Sequence, residues 1–281
     1  MKKWHFIIDV AKCEDCNNCF LSCKDEHCGN DWPGYSASQP LHGHRWMNID
    51  RKERGEFPVI DVAYLPTPCM HCDNAPCIKA AKNGAVYKRD DGLVIIDPEK
   101  AVGQKQLAAS CPYGTIWWNE EKDLPQKCTG CAHLLDDGWK KPRCVQACPT
   151  GALSIQLAAP GELDRLKKDG AVSTLEKNEN STRPRVIYKN LYRYTHCFIA
   201  GSVAKRIDGA EDCLPGLRVC LMKDAGAVQE TVTDDFGDFK FDGLLPDSGP
   251  YQVHIGDKEP EKKIIEVTLN QKSVSMETTF F

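Results

Sequence analysis

The spacing of the cysteines limits what this 281-residue chain can fold into more than any other feature. Thirteen of its sixteen cysteines lie before residue 149. Most of them fall in three short runs: Cys13-x2-Cys16-x2-Cys19-x3-Cys23, Cys69-x2-Cys72-x4-Cys77 and Cys128-x2-Cys131-x12-Cys144-x3-Cys148-Pro149. In a chain without an evident export signal, such close spacing favours metal ligation over disulfide bonds.

The first run has the spacing that bacterial ferredoxins use for [4Fe–4S] clusters. In that spacing three cysteines bind one cluster and the fourth binds a second cluster, and soft thiolates suit iron. The second run departs from it, because position 81 holds alanine where a fourth cysteine is expected. Zinc also binds four thiolates, but zinc sites seldom use the spacing of the first run. A [3Fe–4S] cluster would be expected only where a ligand is missing.

Cys111 ends a further segment that is spaced like a cysteine run but has other residues at the first three cysteine positions. Counting back from Cys111 with the ferredoxin spacing leads to Leu107, Gln104 and Ala101. Gly114 follows Cys111 at the same distance at which Gly151 follows Cys148. Residues 101–111 therefore resemble a ferredoxin repeat that has lost three cysteines.

We pair the first run with the last run, and the second run with the damaged segment 101–111. This pairing gives three sites that have all four cysteines and one site that has none. We predict three [4Fe–4S] clusters with twelve ligands, and we expect Cys28 to be an unligated thiol. The predicted sites are site A (Cys13, Cys16, Cys19, Cys148), site B (Cys23, Cys128, Cys131, Cys144), site C (Cys69, Cys72, Cys77, Cys111) and the lost site D (Ala81, Ala101, Gln104, Leu107).

The segments between the runs predict a doubled bacterial-ferredoxin-like domain of the α+β class over residues 1–196. A strand is expected at residues 4–9, and a hairpin at residues 84–97 around Asp91-Gly92. Residues 156–196 are expected to be a connector with a helix at 160–170. The aromatic-rich insertion at residues 29–68 is expected either to dock a larger partner or to cover a cluster as an ordered loop.

Residues 197–281 predict an all-β sandwich, because short alternating segments are separated by turn residues at regular intervals. Residues 233–239 and 244–251 resemble the immunoglobulin-like modules of the Cna-B or carboxypeptidase-regulatory type.

Composition excludes several classes of function. The formal net charge is -4 and the basic residues are dispersed, which argues against a nucleic-acid partner. No apolar run approaches the roughly 20 residues needed to span a bilayer. The first residues do not form a secretory signal, so we expect a cytoplasmic protein. No general acid, base or nucleophile stands out, so we expect no catalytic residues in this chain.

The cysteine map resembles the ferredoxin-like subunits of DMSO-reductase-family molybdopterin oxidoreductases. With three clusters and a β-sandwich, it is similar to the small (beta) subunits of the pyrogallol–phloroglucinol transhydroxylase and resorcinol hydroxylase type. Stretches that carry the likeness include 13–19, 32–35, 43–48, 67–72 and 127–137. The resemblance implies an iron–sulfur electron-transfer subunit whose large partner binds the molybdopterin cofactor, with molybdenum or tungsten, and acts on phenolic hydroxyl groups.

Two other functions fit the same residues. One is the electron-transfer subunit of a respiratory complex of the dimethyl-sulfoxide or polysulfide reductase type, docked to a membrane subunit. The other is a free polyferredoxin whose β-sandwich serves for binding.

Overall fold

The computed structural model describes residues 1–159, 161–162, 165, 173–175, 182–256 and 262–281. They form two compact units. The first comprises Met1–Asp50 and Tyr64–Leu191, and the second comprises Arg51–Ala63 and Tyr192–Phe281. Most of the helix predicted at 160–170 falls outside the described residues.

Most of the elements up to residue 191 are short. The strands are β1 (Lys3–Asp9), β2 (Asn48–Glu56), β3 (Val59–Thr67), β4 (Val86–Lys88), β5 (Val94–Ile96), β6 (Trp117–Asn119), β7 (Leu124–Gln126), β8 (Leu153–Ala158) and β9 (Val186–Lys189). The helices are α1 (Asn18–His27), α2 (Pro76–Ala80), α3 (Gln106–Ala109), α4 (Ala132–Asp136) and α5 (Arg143–Gln146), with a 3-10 turn at Val10–Lys12.

Strand β1 is the centre of a three-stranded sheet in the first unit. It runs antiparallel to β8 and parallel to β9. Phe6 and Ile8 alternate with more exposed neighbours and are buried, as the period of a strand requires. The predicted strand at 4–9 is confirmed, and so is the predicted hairpin, which consists of β4 and β5. The internal doubling of a ferredoxin-like domain stays a prediction.

The second unit is built almost entirely of strands. After the short helix α6 (Tyr192–Thr195) come β10 (Cys197–Ile207), β11 (Ala210–Cys213), β12 (Arg218–Lys223), β13 (Gly226–Val232), β14 (Asp238–Leu244), β15 (Gly249–Ile255), β16 (Lys263–Leu269), β17 (Val274–Ser275) and β18 (Thr279–Phe280). One sheet has the order β11–β10–β14 with β17 and β18 also paired to β10, and the other has the order β13–β12–β15–β16. Both sheets contribute to one apolar core, with Ile199 and Phe241 from the first and Val219 and Val253 from the second. The immunoglobulin-like assignment stays a prediction.

The end of the β2–β3 hairpin belongs to the second unit, although the sequence-based division placed it with the cysteine runs. Arg54 is the reason, because its guanidinium is buried and donates hydrogen bonds to Asp61 at 2.6 Å and to Asp242 at 2.9 Å. A buried guanidinium needs such partners. This ion network ties residues 51–63 to strand β14.

No helix in the described part of the chain is both long and apolar enough to cross a membrane.

Candidate iron–sulfur centres

Site C is a cavity in the first unit that all four of its predicted ligands line. Cys69 and Cys72 lie on the loop after β3, and Cys77 lies in the first turn of α2, which begins at Pro76. Cys111 reaches the same cavity from the turn after α3. Its Sγ atom lies 3.4 Å from Thr115 Oγ1. Residues of the second run and the damaged segment thus converge on one point.

Site A is a second cavity, and its four predicted ligands also line it. Three of them precede or begin helix α1, whereas Cys148 arrives from the segment just before β8. Cys148 Sγ lies 3.7 Å from Thr150 Oγ1. The antiparallel pairing of β1 with β8 is what brings these two ends of the unit together.

Site B is the most deeply buried of the three. Burial raises the pKa of Cys23 and Cys144, and the nearby thiols of Cys128 and Cys131 raise both values further. The N–H of Gly130 donates to Cys128 Sγ at 3.3 Å, and Gln39 Nε2 lies 4.0 Å from Cys23 Sγ. These four thiols therefore also share one neighbourhood.

Several thiols of the three sites hold their protons tightly in the absence of metal. Burial is the main cause, with neighbouring thiols adding to it at several of them. It raises the pKa to about 12 at Cys19, Cys72 and Cys131, and to about 11 at Cys77 and Cys128. Because iron binds thiolates, cluster assembly must release these protons, and the metal-free protein buries neutral thiols.

The donor sets fit [4Fe–4S] clusters. A cubane spreads its thiolates over several irons, so four thiols around a cavity are the expected arrangement. Among the described residues, no three or more His, Cys, Asp or Glu side chains lie close enough together to hold a single metal ion.

Site B neighbours both other sites, which orders them as a row of neighbours, A, B and C. Cys19 of site A lies near Cys144 of site B, since its thiol contributes to the raised pKa of Cys144. Cys69 of site C is similarly near Cys128 of site B. In each pair of neighbouring sites, a predicted ligand of one site thus lies near a predicted ligand of the other.

Site D is filled with protein. Ala101, Gln104 and Leu107 are buried while the residues between them are exposed or partly so, which means that the three former ligand positions still point inward. Gln104 Oε1 accepts a hydrogen bond from the N–H of Lys82 at 2.9 Å, and its Nε2 donates to the carbonyl of Lys100 at 2.8 Å. Side chains and hydrogen bonds occupy this position in place of four thiols.

The insertion at 29–68 contributes an aromatic group beside site B. Trp46 is buried, and its ring centroid lies 4.8 Å from that of His27. Trp32 stacks on His133 with centroids 4.1 Å apart. His27 Nε2 in turn lies 4.0 Å from Cys131 Sγ. Part of the insertion therefore lies beside a predicted cluster site, while docking of a partner through the insertion stays a prediction.

Two buried histidines beside the predicted sites, His27 and His71, were not identified from the sequence. Burial lowers the pKa of His27 to about 3, with the nearby His133 adding to the effect. Burial, followed by the charge of Lys127, lowers the pKa of His71 well below its usual value. His71 Nδ1 accepts a hydrogen bond from the N–H of Val94 at 3.0 Å. His71 lies between two ligands of site C, and its position inside a cysteine run was the available signal.

The remaining cysteines lie outside the three sites. Cys28 follows helix α1 and is partly exposed. Cys197 is buried in the core of the second unit, whereas Cys213 is exposed and Cys220 is partly exposed.

Comparison with known proteins gives one family model and several relatives. The model described as a 4Fe-4S dicluster domain matches residues 60–158, a range that contains all of site C and the last cysteine run.

The relatives include subunits of several oxidoreductases. The chain is 47% identical over 279 residues to the pyrogallol hydroxytransferase small subunit of Pelobacter acidigallici, with 98% of each chain covered. It is 31% identical over 205 residues to one of the chains of anaerobic dimethyl sulfoxide reductase from Escherichia coli, covering 66% of this chain and 88% of that one. It is 32% identical over 163 residues to a sulfite dehydrogenase subunit of Allochromatium vinosum, covering 54% and 68%.

Proposed function

The protein belongs to the family of pyrogallol hydroxytransferase small subunits, and from this premise we propose that it holds three [4Fe–4S] clusters and serves a large molybdopterin subunit as its electron-transfer partner. The observation that carries the proposal is the convergence of Cys111 with Cys69, Cys72 and Cys77 on one cavity. A chain with an isolated Cys111 would hold at most two complete sites.

Each residue set has a defined role in the proposal. The four thiolates of each of sites A, B and C would hold one cluster, which supplies transfer of single electrons when bound. Burial of all four thiols at site B excludes water there. The row of sites provides a path through the first unit.

The reaction itself belongs to the partner. We propose hydroxyl transfer to or hydroxylation of phenolic substrates at molybdenum or tungsten in the large subunit, because the relative that matches along its whole length is a pyrogallol hydroxytransferase subunit. A transfer of hydroxyl between two phenols needs no external electron. We therefore assign to the clusters the task of setting or restoring the oxidation state of the partner's metal. We place the complex in the cytoplasm, a prediction that cell fractionation tests.

A respiratory subunit of the dimethyl sulfoxide reductase type is the second candidate. Its similarity covers 66% of this chain, against 98% for the hydroxytransferase subunit. The difference in coverage favours the hydroxytransferase assignment.

The decisive experiment is native mass spectrometry and metal analysis of the complex purified without oxygen. We expect this chain in complex with one large subunit, molybdenum or tungsten in that subunit, and about twelve irons in this one. Conversion of pyrogallol should require the large subunit. A chain that purifies alone with all its iron would instead indicate a free polyferredoxin, and zinc in place of iron would refute the cluster assignment.

A further inference from the structure

Lys127 is a buried cation next to two of the predicted clusters. Only 3% of its surface is exposed, and it lines the cavity of site C. It directly precedes Cys128 of site B in the chain. Its ammonium is therefore close to both site B and site C.

The partners of Lys127 do not neutralise its charge. Its Nζ atom donates to the carbonyl of Val94 at 2.5 Å and to the carbonyl of Cys128 at 3.0 Å. Within the described parts of the chain, no carboxylate forms an ion pair with it. Burying a charge without an opposite charge is costly, so such residues are normally paired or bound to an ion.

The other lysine at site C shows the contrast. Lys88 donates to the carbonyl of Cys72 and also forms an ion pair with Asp73 at 3.1 Å. Lys88 therefore has a carboxylate partner, which it shares with Arg185 and Lys3. Lys127 has none among the described residues.

The missing negative charge is available from the clusters. A [4Fe–4S] cluster with four thiolates is an anion, and its negative charge grows when it accepts an electron. Charge near a cluster is one of the factors that set its reduction potential. The positive charge of Lys127 works to lower the pKa of Cys77 of site C and of Cys128 of site B, which shows that the ammonium lies near a ligand of each site.

We propose that Lys127 is the counter-charge of the clusters at sites B and C and that it raises the reduction potential of the cluster at site C. This inference rests on the proposed function, because it needs clusters at both sites. In the proposed role the fixed ammonium stabilises the reduced cluster more than the oxidised one, which favours an electron residing at the end of the row.

The test is a redox titration of the intact complex followed by electron paramagnetic resonance under anaerobic conditions. The signal of site C is identified as the one that Cys111→Ser removes. In Lys127→Met we expect the ratio of reduced to oxidised site C cluster at a given potential to fall at least tenfold, a midpoint shift of about 59 mV for one electron. Lys127→Arg keeps the charge and should stay near the wild-type midpoint.

Lys105→Met is the matched control, since it removes one positive charge from a lysine that is 67% exposed and paired with Glu120. It should leave the midpoint unchanged. A fully iron-loaded Lys127→Met with the wild-type midpoint overturns the proposal, and so does Lys127→Arg shifting as far as Lys127→Met.

Variants that fail to assemble also decide the matter. If Lys127→Met and Lys127→Gln both lose about four irons while Lys127→Arg keeps them, the requirement is for charge and the proposal stands. If Lys127→Arg loses them as well, the requirement is for the shape of lysine and the proposal falls. Failure of the proposed function would appear earlier and separately, as a wild-type complex without three cluster signals.

Discussion

The backbone N–H of Lys82 donates a hydrogen bond to Gln104 Oε1 at 2.9 Å, joining the two segments that would have shared a fourth cluster. Gln104 occupies a former ligand position, and Lys82 directly follows another, Ala81. The bond substitutes an ordinary polar contact for a metal centre. If a cluster was lost here, as the cysteine spacing predicts, this contact now fills part of its place.

The first prediction concerns this replacement. Gln104→Ala removes the hydrogen bonds to the Lys82 N–H and the Lys100 carbonyl, both part-buried, and the loss of such a bond costs about 0.5–1.5 kcal/mol. Hydrogen exchange followed by mass spectrometry should show the opening free energy around residue 82 falling by about that amount. Iron content should not change, and Val102→Ala, an exposed site in the same segment, should leave exchange at residue 82 as it is.

The second prediction concerns the ligand set of site C. Cys111→Ser should cost this chain the cluster at site C or convert it to a [3Fe–4S] form, because serine is a poor ligand for iron in place of a thiolate. Iron per chain should fall from about twelve to between about eight and eleven, measured by metal analysis and electron paramagnetic resonance. Cys28→Ser is the control and should keep all the iron. Full iron content in Cys111→Ser would refute the pairing of Cys111 with residues 69–77.

The third prediction concerns the acid stability of the second unit. Burial by itself would raise the pKa of Asp61, but hydrogen bonds from Arg54 and Lys240 outweigh it and hold the pKa below its usual value of 3.8. A carboxyl whose pKa is lower in the folded state adds stability above its unfolded pKa, and this stability is lost as the pH falls towards the folded value. Hydrogen-exchange protection of the 192–256 peptides, taken relative to the intrinsic exchange rate at each pH, should therefore fall as the pH drops below about 4.

Asp61→Asn tests the sign of that effect. The variant should be less stable than the wild type at neutral pH, and the difference should shrink at acid pH, where the wild-type carboxyl becomes protonated as well. A difference that stays constant down to pH values near 2 would show that Asp61 contributes through packing and not through its charge.

The fourth prediction concerns the turn at the end of the β2–β3 hairpin. Gly55 has φ +80, and a Cβ added there would meet the ring of Phe198 at 2.5 Å. Gly55→Ala combines backbone strain with this overlap, so we expect it to destabilise the second unit by about 1–3 kcal/mol more than backbone strain alone would. Gly209→Ala provides the comparison, because Gly209 has φ +85 and nothing within 4 Å of an added Cβ. Equal melting temperatures for the two variants would contradict the packing explanation.

Much of the candidate site was predictable because ligand spacing is a local property of the chain. Thiolates that bind one cluster from a single loop must be close in sequence. The runs at 13–23, 69–77 and 128–148 can therefore be recognised from cysteine spacing alone. Positions 101, 104 and 107, where the ferredoxin spacing expects cysteines and other residues stand, were recognised in the same way. Turn chemistry likewise predicted the β4–β5 hairpin, since an Asp-Gly pair between apolar residues determines its own conformation.

Other features depended on segments that are distant in sequence. Whether Lys127 is buried without a carboxylate is decided by Val94 and by the cavity wall of site C, and not by its neighbours in the chain. The membership of residues 51–63 in the second unit is decided by Asp242, nearly two hundred positions further on. The sequence alone therefore determined which residues are the candidates for binding iron, because the spacing of ligands on one loop involves only a few residues. Only the tertiary structure decided which charges are buried and which partners balance them, because burial and Coulomb interactions depend on distance in space.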